Sequence, residues 1–334
     1  MDPLLDINDL TVRFPSTQGM LTVVDQVSFN VGRNEVVCVV GESGSGKSVT
    51  MQAAVGLVQT KGGHVTGGRV TFDGQQLTGM GNRQLNRIRG NDIGFIFQEP
   101  MSSLNPAFTV GEQIAEVVRR HRRVSRAVAW KRAVEMLDRV NIATAASRAH
   151  DYPHQFSGGM RQRVMIAMAI ACDPKLLIAD EPSTALDVTI QARILQLLKE
   201  LQAASGMAIL FITHDLGVVA EIADRVVVMY GAQVVEQASV YDLFASPRHP
   251  YTAGLLRAMP QVALERGEDP VAIPGTVAQA HAWPAGCRFN PRCEYREDGP
   301  CTTGSVPLAP DDRGLVRCAR ADVLKPTLKL AVTV

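Results

Sequence analysis

The stretch Val36-Val37-Cys38-Val39-Val40-Gly41-Glu42-Ser43-Gly44-Ser45-Gly46-Lys47-Ser48 decides how the rest of the chain is read. Five apolar, mostly β-branched residues predict a strand buried on both faces. The eight that follow fit G-x-x-x-x-G-K-[ST], a turn opening a helix that should run to Val58. Its glycines let backbone N–H groups turn inward around phosphate oxygens, and the helix N-terminus adds the positive end of its dipole. Gly41, Ser43, Gly44, Ser45 and Gly46 therefore line the expected nucleotide site. Lys47 can reach the β- and γ-phosphates, and the Ser48 hydroxyl can ligate Mg²⁺.

A site of this kind needs a second strand ending in carboxylates. Leu176-Leu177-Ile178-Ala179-Asp180-Glu181 supplies one. Asp180 can hold Mg²⁺ through water, and Glu181 is placed to polarise a water for attack on the γ-phosphate. Further short apolar runs at 69–72, 93–97, 208–213 and 225–230 read as strands, with helices over 127–140 and 188–203. Between Gln98 and Asp173 the pattern is helical, which predicts a helical subdomain over about 98–173 inside an α/β domain spanning 1–240. From 241 to 334 proline and glycine become frequent and periodicity fades. That segment reads as a loop-rich region in need of a staple.

Lys and Arg number 34 against 33 Asp and Glu, so a net charge of +1 singles out neither nucleic acid nor anionic lipid as partner. Apolar residues make up 46% and charged ones 20%, the balance of a folded globular chain. The longest apolar run, 164–172, is about half the ~20 residues a membrane helix needs. The acidic start, Met1-Asp2-Pro3-Leu4-Leu5-Asp6, lacks the basic and apolar regions of a signal peptide. A cytosolic chain that does not itself span a membrane is expected. Cys38 and Cys172 sit in apolar stretches as small buried hydrophobes. Cys287, Cys293, Cys301 and Cys318 fall in one C-terminal stretch, which in a reducing compartment points to a metal site rather than disulfides. Their spacing, C-x5-C-x7-C-x16-C, lacks the close pairs usual for structural zinc. An iron–sulfur cluster, zinc and plain thiols all remain open on the residues alone.

Ser157-Gly158-Gly159-Met160-Arg161-Gln162 resembles the signature loop of ABC-transporter ATPases. Gln98, Ser183-Thr184-Ala185-Leu186-Asp187 and His214 stand around it in that family's order. The resemblance implies an α/β P-loop ABC ATPase domain acting as a head-to-tail dimer, with two ATP molecules at the interface. Ser157, Gly158 and Gly159 would cap the γ-phosphate of the partner's ATP from a helix N-terminus. His214 would contact the γ-phosphate, and Gln98 would sense Mg²⁺ and the attacking water. Asp187 would couple the two sites, and Phe14 would stack on adenine. Glu181, His214 and Gln98 are thus the implied catalytic set, with Ser48, Gln98 and Asp180 on Mg²⁺. Met160 stands where glutamine is commoner and Phe14 where tyrosine is, and neither change removes a catalytic group.

Ser246-Pro247-Arg248-His249-Pro250-Tyr251-Thr252-Ala253-Gly254-Leu255-Leu256 and Gly286-Cys287-Arg288-Phe289-Asn290-Pro291-Arg292-Cys293 are similar to segments of oligopeptide and dipeptide importer ATPases, closest to the dipeptide type. Relatives of that group serve nickel, glutathione or murein peptides. The resemblance implies a small C-terminal metal-cluster domain, with a 4Fe-4S cluster on the four cysteines and zinc as the alternative. It implies two transmembrane permease subunits pressing on residues 97–106, a second and similar ATPase subunit forming a heterodimer, and an extracytoplasmic solute-binding protein. The location would be the cytoplasmic face of the bacterial inner membrane, peripherally attached, with no nucleic acid bound. Soluble ABC ATPases acting on ribosomes or DNA carry tandem domains or a long coiled-coil insertion, neither of which is present. A non-enzymatic regulator would have no use for intact Glu181 and His214.

Overall fold

The five residues Val36–Val40 are all buried because they lie between two different hydrophobic cores. Val36, Cys38 and Val40 face the core built with the helices, whereas Val37 and Val39 face the core shared with an antiparallel sheet. A strand covered on both sides can be apolar at every position, and each buried valine contributes roughly 1.5–3 kcal/mol. A computed structural model of the chain describes residues 2–17, 19–98, 103–182 and 187–330.

Two long strands, β1 (Leu5–Ser16) and β2 (Gly19–Val31), precede β3 (Val36–Val40) and helix α1 (Lys47–Ala54). After them come β4 (His64–Phe72), β5 (Gln75–Gln76), α2 (Asn82–Ile88) and β6 (Ile93–Ile96). A helical stretch follows: α3 (Val110–Arg122), α4 (Arg126–Arg139), α5 (Ala145–Arg148) and α6 (Gly158–Ile170). The main sheet then resumes with β7 (Leu176–Asp180), α7 (Val188–Ser205), β8 (Ala208–Thr213), α8 (Leu216–Ile222), β9 (Arg225–Tyr230) and β10 (Gln233–Ser239). The last part holds α9 (Val240–Ala245), α10 (Pro250–Arg257), α11 (Pro260–Arg266), β11 (Ala309–Asp311), β12 (Gly314–Val316) and α12 (Ala321–Leu328).

One sheet has the order β2-β1-β4-β5 and is antiparallel; the other runs β11-β12-β10-β9-β3-β8-β7-β6. Within the larger sheet, β9, β3, β8, β7 and β6 are parallel, so their C-terminal ends share one edge. That edge carries Gly41, Asp180 and His214, each at or just beyond a strand end. The helical stretch packs on the sheet through α6, whose Val164, Ile166 and Ala167 are buried with Val110 and Ile114 of α3 and Ala133 and Leu137 of α4. Thr109 begins α3 with a capping box to Glu112.

One expectation needs correcting. The helix after the phosphate loop ends at Ala54 rather than Val58, because Gly56 takes a left-handed φ of 68° and residues Val58–Lys61 form a 3-10 turn. The C-terminal stretch carries regular elements as well as loops. Its strands β11 and β12 add antiparallel to β10 and extend the main sheet. Arg248, almost fully buried, bridges Asp311 and Asp312 at 2.7 and 2.6 Å and fastens that extension. Arg317 adds bonds to the carbonyls of Val234 and Val306, both at 2.8 Å.

Candidate active site

The phosphate loop is shaped by close approach to strands β9 and β2. A Cβ at Gly41, where φ is 148°, would lie 2.1 Å from the Met229 carbonyl oxygen, and one at Gly46, where φ is 96°, 2.7 Å from that of Val23. Only glycine fits either place. Lys47 is buried, and its Nζ donates to the carbonyls of Gly41 (2.7 Å) and Glu42 (3.0 Å), inside the loop's own curve. Burial lowers its pKa, opposed by the carboxylates of Glu181, Asp180 and Glu42. Ser45 is fully buried, and its hydroxyl has no hydrogen-bond partner among the described residues.

Two strands away in the same sheet, Asp180 ends β7. Its Oδ1 accepts the Ser48 hydroxyl at 2.7 Å, which joins the loop to the carboxylate strand. Burial pushes the Asp180 carboxyl up and the Ser48 bond pulls it back. A hydroxyl and a carboxylate already paired are the hard oxygen donors Mg²⁺ takes, so these residues fit that ion. Glu181 follows in a left-handed conformation (φ 46°), and its N–H donates to the Ile212 carbonyl at 3.0 Å. This turns its carboxylate outward from the sheet end. One oxygen accepts from the Gln98 amide at 3.1 Å and the other lies 3.4 Å from Nδ1 of His214. The three residues implied as catalytic are therefore in contact, with Glu181 between the other two.

The other predicted residues lie around this cluster. Ser157 caps α6 and accepts the Met160 N–H at 3.4 Å; Ser157 and Gly158 are exposed, and a Cβ on Gly159 would be 2.8 Å from Ile190. No hydrogen bond joins this signature loop to the phosphate loop among the described residues. Asp187 is exposed and caps α7 through Ile190 N–H at 2.9 Å. Phe14 is half-buried, its ring close against Gly63. Ser183, Thr184, Ala185 and Leu186, and Glu99 to Ser102 in the expected permease contact, lie outside the described residues.

Sequence reasoning missed what holds the loop from outside. The Glu42 carboxylate accepts Arg292 Nη1 at 3.0 Å to each oxygen, and the Glu42 N–H donates to the Tyr251 hydroxyl at 2.8 Å. Both partners lie in the C-terminal motifs quoted above only for their resemblance, and nothing local connects them to Glu42.

Cys38 and Cys172 are buried, as expected. Cys287, Cys293, Cys301 and Cys318 line one small cavity with His249 and Asn290. Burial raises the Cys287 thiol pKa, that of Cys293 to about 11 and that of Cys318 to about 12, which keeps these groups protonated. No group of three or more His, Cys, Asp or Glu among the described residues could hold a metal ion. The expected metal-cluster domain, zinc or iron–sulfur, is thus not supported by the arrangement of these side chains.

Residues 24–184 match the family model described as ABC transporter, and residues 235–301 match that of the oligopeptide/dipeptide transporter C-terminal region. The oligopeptide transport ATP-binding protein AppD of Bacillus subtilis is 49% identical over 319 residues, 95% of this chain and 97% of that protein. This chain belongs to the ABC-transporter ATPases. The dipeptide transport ATP-binding protein DppD of Escherichia coli is 48% identical over 295 residues, 88% of this ABC ATPase and 90% of its own length. Among solved structures, a dimeric ATP-binding cassette in a post-hydrolysis state with ADP and Pi matches with a TM-score of 0.63 and 28% identity over 71% of this chain and 98% of that one. The cbiO1 protein of Clostridium perfringens, part of an ABC transporter complex, matches with a TM-score of 0.64 and 26% identity over 80% and 100%. Both support the α/β P-loop ABC fold. No helix among the described residues is long and apolar enough to cross a membrane.

Proposed function

We propose that the chain is the ATP-hydrolysing subunit of a bacterial peptide importer, peripheral on the cytoplasmic face of the inner membrane. The observation that carries this is the extent of the likeness. Proteins named for oligopeptide and dipeptide transport match over about nine-tenths of the chain, including the C-terminal region that follows the ATPase core. The same role for nickel, glutathione or murein peptides has no observation in its favour.

In the proposed mechanism the phosphate loop binds ATP, with Phe14 against adenine and Lys47 turned from its two loop carbonyls to the phosphates. Ser48, Asp180 and Gln98 would hold Mg²⁺, which supplies charge neutralisation at the phosphates. Glu181 accepts a proton from the attacking water, kept in orientation by Gln98 on one oxygen and by His214 on the other. Ser157 and Gly158 are exposed at a helix N-terminus and Gly159 follows them, so that their N–H groups can cap the ATP of a second, similar ATPase subunit. Asp187 would couple the two sites, and closure of this pair would drive two permease subunits fed by an extracytoplasmic solute-binding protein. A permease contact around residues 97–106 is supported by exposed aromatics at that end of the helical stretch, Phe97 at 42% and Phe108 at 51%.

The test is mass spectrometry of what copurifies with the tagged chain from its native membranes in mild detergent. Two multi-spanning proteins and a second ATPase are expected; ribosomes or DNA factors alone would overturn the transport reading. A 4Fe-4S cluster on Cys287, Cys293, Cys301 and Cys318 is a further part of the proposal. It rests on the resemblance of the C-terminal segments alone, since no three of these side chains stand where they could hold a metal ion. Iron and acid-labile sulfide analysis of anaerobically prepared protein checks it, and a chain free of both metal and sulfide overturns it.

A further inference from the structure

Glu42 is the second residue of the phosphate loop, and it is held on both sides by different parts of the molecule. On the inner side its carbonyl, with that of Gly41, accepts Lys47 Nζ. On the outer side Arg292 donates to both carboxylate oxygens and the Tyr251 hydroxyl accepts its N–H. This outer clamp is rigid. Tyr251 is fully buried, and its ring packs with those of Tyr230 and Phe289 at centroid distances of 4.6 and 5.4 Å. The Arg292 side chain is only 7% exposed and is tied by its Nε to the Pro274 carbonyl at 2.8 Å.

The two sides have different fates when nucleotide binds. Lys47 must leave the Gly41 and Glu42 carbonyls to reach phosphate oxygens, so the inner support of the loop is given up at that moment. The outer support does not compete with the ligand. A charge-assisted contact in which the one Nη1 of a mostly buried arginine serves both carboxylate oxygens also fixes geometry as well as adding energy.

We propose that Arg292 and Tyr251 are positioning residues of the ATP site, which keep the phosphate loop in its nucleotide-accepting shape from the C-terminal region. The C-terminal region is then a working part of the ATP site and not only a mark of the transporter type. Cys293 follows Arg292 directly, so the cysteine cavity is one peptide bond from the clamp. The proposal rests on the loop being the ATP site and adds residues to it that the motif does not contain.

The experiment is a titration of the full-length chain with a fluorescent MgATP analogue, for wild type, Arg292→Gln, Glu42→Gln and the double variant, with thermal melting without nucleotide as the check on folding. Each single variant should bind roughly tenfold more weakly, about 1.4 kcal/mol. The double variant should be no weaker than either single one, because both remove the same pair. In the assembled complex the rise should appear in KM, with the rate at saturating MgATP within about twofold of wild type. Unchanged affinity in Arg292→Gln, or losses that simply add, overturns the proposal. If Arg292→Gln fails to fold, Tyr251→Phe keeps the test, since it removes one hydroxyl oxygen and leaves the Glu42 N–H without its acceptor. Severalfold weaker binding is then expected, and wild-type affinity is the refuting result. A wild-type chain with no affinity for the analogue would remove the ATP reading itself, and the clamp with it.

Discussion

Replacing Glu181 by glutamine separates its chemistry from its place in the structure. The side chain sits between Gln98 and His214, 3.1 Å from one and 3.4 Å from the other, and is 14% exposed. Glutamine has the same volume and can satisfy both neighbours: its oxygen can accept from the Gln98 amide, and its nitrogen can face Nδ1 of His214. Packing and the left-handed turn at this position are therefore preserved. Only the capacity to take a proton from water is lost. General-base catalysis contributes about 10²–10⁴ in rate, so phosphate release by the assembled complex should fall by roughly a thousandfold, ~4 kcal/mol of barrier. Nucleotide binding should move the other way, because one negative charge has been removed next to Asp180 and the γ-phosphate position. The assay pairs phosphate release at saturating MgATP with a titration of MgATP affinity. Hydrolysis at the normal rate would refute the base assignment. A slow variant that had also lost ATP would show that Glu181 shapes the site and does not act on the water.

Two further predictions concern the sheet extension. Arg248→Met removes the guanidinium from between Asp311 and Asp312 and leaves the buried Asp311 carboxylate unpaired, a loss of about 3–5 kcal/mol. The melting temperature should drop by roughly 5–10 °C, and Arg248→Met with Asp311→Asn should recover part of it; an unshifted single variant would show that the bridge adds nothing. Glu236, fully buried on β10, accepts the N–H groups of Arg248 (2.7 Å) and His249 (2.8 Å), and burial pushes its pKa from 4.5 up to about 7. A raised pKa in the fold means that protonation favours folding, so its contribution is complete below pH 4.5 and is lost as the pH passes 7. Wild-type melting temperature should therefore fall between pH 6 and 8.5 by several degrees more than that of Glu236→Gln, and parallel curves would refute the assignment.

The parallel core was legible in the sequence because its strands are apolar at nearly every position. Residues 36–40, 176–179, 208–213 and 225–230 stand out from any background for that reason. Strands β1 and β2 did not stand out, and their physical chemistry shows why. The alternation of buried residues along β1 is Leu5, Ile7, Leu10, Val12, with the period broken after Ile7 where Asp9 takes a left-handed φ of 48°. Register shifts against β2 fall at the same place. A bulge changes which face the next residue occupies, so a period-2 search sees two fragments too short to count. β11 and β12 are three residues each and carry no periodicity to read.

The proposed ATP site divides along the same line. Asp180, Glu181, Gln98 and His214 each lie at or just past the end of a parallel strand, and Lys47 and Ser48 open the helix that follows another, so once the strands are located the site follows from where they stop. The clamp on Glu42 has no such marker. It joins residues 250 positions apart, and Arg292 lies in a 3-10 turn between proline and cysteine, where the chain shows no regular pattern. What could have been inferred is negative: a glutamate has no role in binding phosphate, and in a loop built to attract anions its charge needs a cation outside the loop to offset it. Glu42 was therefore the residue whose presence called for a partner, and the C-terminal motif rich in arginine was where to look. The same reasoning explains why the C-terminal region cannot be treated as a detachable tail. Cutting it away would release the Glu42 carboxylate and N–H from Arg292 and Tyr251, and nucleotide affinity would fall even though every residue of the phosphate-binding motif remained.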